Sequence, residues 1–141
     1  MSQSGQQSKG TFERAMLDNG IDDFNTTTEE LKFGACKLTI ERIHTILQDN
    51  LEWTLPENML IDFADGLLKT TMGLRQLHLG SLGTTYPFSG IMPIIDEARA
   101  HLGQALSIFN NEDKVFQRTQ HIQLCRRKLE EAMEQIEGFP R

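Results

Sequence analysis

An all-α fold, an antiparallel up-down-up-down four-helix bundle behind a flexible N-terminal arm, is what three features of this sequence predict. Apolar residues recur at alternating steps of three and four along four segments of similar length, the spacing that gathers them on one face of a helix. The breaks between these segments are short, so successive helices must run antiparallel. No segment sustains the period-two alternation, rich in β-branched residues, that a strand requires.

Residues 1–22 read as the arm. The first ten are mostly Ser, Gln and Gly, with almost nothing to bury. The run TFERAMLDNG predicts a short helix over 11–18, ended by Gly20, with Phe12, Met16 and Leu17 on one side. Such a helix needs something to lie on, either its own bundle or another chain.

The bundle then occupies residues 23–141. Thr27 and Glu30 have the spacing of a capping box and open a first helix that runs to about Asp49. Its stripe is Phe33, Cys36, Ile40, Ile43 and Leu47. Trp53 lies in the connection, and Thr54 with Glu57 repeats the capping spacing around Pro56, a residue tolerated in a first turn. The second helix turns Leu60, Phe63, Ala64, Leu67, Leu74 and Leu77 inward and stops near Gly80. The segment GSLGTTYPFSG, with three glycines and a proline, forbids a continuous helix. A third stripe follows, Ile91, Ile94, Ala98, Ala105 and Ile108, flanked by Ile95, Leu102 and Phe109. Asn110 and Asn111 mark a turn. The fourth helix, from about Glu112 to Glu137, aligns Val115, Ile122, Cys125, Leu129, Ala132 and Ile136, and Gly138 with Pro140 closes it.

Composition narrows the possible functions. A chain of 141 residues suits one domain that buries a core without staples. Its net charge of −6 argues against a sequence-independent grip on nucleic acid or an anionic membrane, because both require a basic surface. Cys36 and Cys125 lie within helical stretches, away from any CxxC or ligand-spaced histidine, and read as buried free thiols. The opening residues lack the apolar core of a secretory signal, and no apolar run approaches the roughly 18 residues that span a bilayer. The expected location is cytoplasmic.

Four histidines fall one to a helix, and the antiparallel bundle places His44, His101 and His121 at roughly one level, with His78 near the opposite end. Glu41 and His44 have the ExxH spacing of carboxylate-bridged metal bundles, but those need two such motifs and two further glutamates, and Glu41 points away from its stripe. Arg118 stands where the fourth stripe asks for an apolar residue. It must therefore snorkel, or meet a carboxylate or an anionic ligand. His44, His101, Arg118 and His121 form the candidate ligand cluster; no cofactor or metal is implied. The glycine-rich loop lacks the order of a phosphate cradle and contains no Lys, and a GxSxG elbow is absent. Tyr86 and Phe88 beside Pro87 either seal the bundle end or, together with Phe12 and Met16, contact a partner. Leu31, Leu38, Met59, Leu68 and Met72 exceed what one stripe per helix requires. The expectation is a non-enzymatic module that binds another protein or itself, as a homo-oligomer and first of all a dimer. A helical bundle binding a small ligand or metal through its histidines is the alternative.

Overall fold

The computed structural model describes residues 28–50 and 55–139. The short helix expected over 11–18, Phe12 and Met16 within it, Thr27, Trp53, Thr54 and Pro140 lie outside the described residues. Four α-helices account for the architecture: α1 Thr28–Asp49, α2 Glu57–Leu79, α3 Phe88–Ser107 and α4 Val115–Glu137. Each helix packs on two neighbours in a ring, α1 on α2, α2 on α3, α3 on α4 and α4 back on α1, most extensively between α3 and α4. The directions alternate. Along α1 and α2, Gly66 approaches Thr39 and Ile43 while Gly73 approaches Cys36 and Lys32, so one chain number rises as the other falls. Along α3 and α4, Glu97 meets Lys128, His101 meets His121 and Phe109 meets Arg118. The fold is the antiparallel helical bundle that the stripes predict, and the described residues contain no strand.

The core is the sum of those stripes. Ile40, Leu60, Leu67, Leu74, Ile91, Ile95, Ala98, Leu102, Cys125 and Leu129 are wholly buried. Full burial of one such Leu, Ile or Phe contributes about 1.5–3 kcal/mol. Ile95 and Leu102, read from the sequence as flanking, belong to the centre of the core.

Local chemistry explains the boundaries. The Glu29 carboxylate accepts hydrogen bonds from the Ser81 and Leu82 amides and the Ser81 hydroxyl at 2.8–3.2 Å, tying the start of α1 to the 3₁₀ turn Ser81–Thr84 after α2. That turn requires glycine: a Cβ on Gly83 would sit 1.9 Å from the His78 carbonyl oxygen. Pro93 is the sixth residue of α3, where it removes the bond to the Ser89 carbonyl. Both residues are exposed, so water reaches the freed acceptor. Between α3 and α4, Asn111 caps a second 3₁₀ turn, Glu112–Lys114, by accepting from the Asp113 amide at 2.9 Å.

Two sequence expectations are corrected. Val115 belongs to the predicted inner stripe but is 44 % exposed. The three histidines also do not share a level, because the helix ends are not flush. Gln48, next to the last residue of α1, already pairs with Arg126 of α4, leaving the first eleven residues of α4, roughly 16 Å, beyond the end of α1.

Candidate functional site

Three places in the molecule hold the residues singled out from the sequence. The first is the overhanging end of α3 and α4. His101 and His121 face each other there, with their Nδ1 atoms 3.2 Å apart and their rings stacked at 5.4 Å. One ring donates and the other accepts, so the contact tolerates a single proton between the two nitrogens. Burial, then the neighbouring His121 and Lys128, pulls the His101 pKa below its ordinary 6.5. Arg118 neither reaches a carboxylate nor snorkels: it is 8 % exposed, donates from Nη1 to the Phe109 carbonyl at 2.7 Å and lays its guanidinium 4.8 Å over the Phe109 ring. It thereby satisfies a carbonyl just past the end of α3.

His44 stands apart from this pair. Its Nε2 lies 3.0 Å from Glu130 Oε2, and Glu130 also receives Arg126 at 3.0 Å. Nine residues of helix, about 13.5 Å, separate Glu130 from His121 along α4. The hydrogen bond from His44, helped by Arg126, holds the Glu130 carboxyl below its usual range. Among the described residues, no group of three or more His, Cys, Asp or Glu side chains is placed to hold a metal ion. Burial pushes the Cys36 thiol up to about 11 and the Cys125 thiol up to about 12, so neither is a nucleophile at neutral pH.

The second place is the opposite end, where Phe33, Tyr86, Phe88 and Phe139 pack with ring centroids 5.2–5.9 Å apart in stacked and edge-on pairs. Phe88, expected as a partner contact, is corrected here: it is wholly buried and seals the bundle. Tyr86 is half-buried and lines a groove of about 390 Å³ with Phe33, Lys37, Glu41 and Phe139. Phe139 goes unremarked in the sequence reading because it follows a helix stop, yet it is the lid of this cluster.

The third place is the outer face of α2. Ile61, Leu68, Met72 and Leu79 are 51 %, 36 %, 54 % and 78 % exposed. At about 100° per residue these four fall within roughly 20° of one direction, on a line about 27 Å long. With the exposed Asp65 and Arg75 they complete a run of six positions at alternating steps of four and three, 61, 65, 68, 72, 75 and 79. Leu68 and Met72 stood out in the sequence as surplus. Ile61 and Leu79 are missed there, although the same spacing rule finds them once a second stripe is sought on a helix that already has one.

The domain is therefore a four-helix bundle with one helix apolar on two sides. Comparisons with family models, with curated proteins and with solved structures find nothing similar to this chain. No helix among the described residues is long and apolar enough to cross a membrane.

Proposed function

We propose that this domain is a non-enzymatic interaction module that holds a partner helix against the outer face of α2. One observation carries the reading: the second heptad-spaced stripe on α2, Ile61, Leu68, Met72 and Leu79, lies outside the buried core and is exposed along its length. Apolar side chains scattered singly over a surface need no explanation, but four on one straight helical line have the pattern of a coiled-coil seam. The titratable groups favour the same reading. The thiols are buried, the close histidine pair has no third metal donor grouped with it among the described residues, and Arg118 is spent on a backbone carbonyl.

Placing a photo-crosslinking amino acid at Met72, with the exposed Ala100 of α3 as the control position, tests this in living cells. The expected result is a discrete protein adduct from position 72 and none from position 100. A chain that gives no adduct at 72, in cells or at high concentration in vitro, overturns the reading.

The alternative, a ligand or metal held at the His101–His121 pair without His44 or Arg118, has the 3.2 Å contact of those two rings in its favour. It expects stoichiometric Zn²⁺ to raise the melting temperature; an unchanged melting curve removes it.

A further inference from the structure

We infer that the helix received by the outer face of α2 is α2 of a second copy of this chain, running antiparallel and related by a twofold axis at the level of Thr70. The inference rests on the reading of that face as a docking surface and adds its occupant and register. The six seam positions are symmetric about residue 70. Reversing the helix about that point sets Ile61 against the partner's Leu79 and Leu68 against the partner's Met72. The same operation sets Asp65 against the partner's Arg75.

The charges decide the matter. Asp65 and Arg75 are the two charged residues on the line, and both are exposed. In the antiparallel register each meets its opposite on the other copy, twice over by symmetry. In a parallel pairing Asp65 would face Asp65 and Arg75 would face Arg75, placing like charges on the seam. Antiparallel helices pair in this alternating way, and a twofold interface must be complementary to itself. Asp65 already carries Lys69 of its own helix at 3.1 Å, and both groups are exposed. That pair offsets the approach of Lys69 to its symmetry mate across the axis. Four of the six layers are purely apolar. The seam is short beside the 20–30 residues a side of a standard interface, so the dimer is a weak, concentration-dependent one.

Sedimentation of the full chain across a concentration series reads the outcome. The mass is expected to rise from 16.1 kDa toward twice that value. Asp65→Arg or Arg75→Asp alone should weaken the dimer about tenfold or more, by setting like charges face to face. The double variant, carrying Arg at 65 and Asp at 75, should return to within about threefold of the parent, because the opposed pair is restored with its sign reversed. All of these side chains are solvent-exposed, and unchanged circular dichroism and melting of the diluted variants verify that the bundle is intact.

A chain that stays monomeric up to millimolar concentration overturns the second copy as occupant. So does a Met72 adduct joined to the chain's own residues 11–18 or to an unrelated protein, yet in either of these cases the face itself still docks a partner segment. Single variants that weaken the dimer without rescue by the double variant overturn the antiparallel register. Self-association unaffected by Leu68→Asp with Met72→Asp overturns the inference, and a silent crosslinker at position 72 would then remove the docking face as well.

Discussion

The two faces of α2 obey the same spacing rule and meet opposite fates. Leu60, Phe63, Leu67, Thr70, Leu74 and Leu77 step by three and four and are buried; Ile61, Asp65, Leu68, Met72, Arg75 and Leu79 step by four and three and are exposed. At 100° per residue the two lines point about 150° apart. The inner line lacks charge and lies in the buried core, whereas the outer line carries one charge of each sign and is exposed. Periodicity thus identifies faces that ask for a partner. It does not say whether the partner comes from the same chain.

Adjacent residues offer the largest contrast. Leu67→Ala should cost about 2–5 kcal/mol in denaturant unfolding, since a wholly buried leucine leaves a cavity. Leu68→Ala, one residue on, should change monomer stability by no more than about 0.5 kcal/mol and act on association instead. Equal losses at the two positions would break the comparison.

Arg118→Ala, remote from both faces of α2, should cost about 1.5–3 kcal/mol, the range for a hydrogen bond to a charged group, and leave self-association per folded molecule unchanged. Thermal melting and sedimentation of the same samples measure the two effects separately.

The glycines of α2 sharpen the inner side. A Cβ on Gly73 would lie 2.9 Å from the buried Cys36 Sγ, forcing that side chain or its helix to give way, while a Cβ on Gly66 would meet ordinary contacts at 3.6 and 3.7 Å. Gly66→Ala should therefore stabilise by up to about 1 kcal/mol through helix propensity, and Gly73→Ala should lose that gain to overpacking and come out net destabilising by about 1 kcal/mol. Chemical denaturation with opposite signs for the two is the expected outcome.

The smallest effect is that of pH. Because the folded His101 pKa is depressed, the unfolded chain takes up its proton first as pH falls. The contribution of His101 is complete above pH 6.5 and drains away as pH drops below that value toward the folded pKa. Melting between pH 7.5 and 5.5 should show the loss, and His101→Gln should flatten it. The α2 seam contains no histidine, so association should not follow the same curve.

Much of this architecture was legible before any coordinates. The stripes of α1 to α4 name most of the core, and the breaker after Gly80 marks the 3₁₀ turn, because helix periodicity and glycine stops are local properties of the chain. The candidate site was legible only in part. Leu68 and Met72 stood out as surplus, but one stripe per helix satisfied the bundle, so Ile61 and Leu79 raised no question.

By itself, the sequence determined four amphipathic helices, their antiparallel order, two buried thiols and an excess of apolar residues on α2. Tertiary structure alone decided the register. With α4 overhanging α1, His44 pairs with Glu130 while His101 finds His121, and Arg118 turns to the Phe109 carbonyl. It also decided which of the two α2 stripes the bundle covers. The physical reason is that spacing along one helix fixes direction around its axis, whereas axial offset and the choice of neighbour depend on how four helices fill space together.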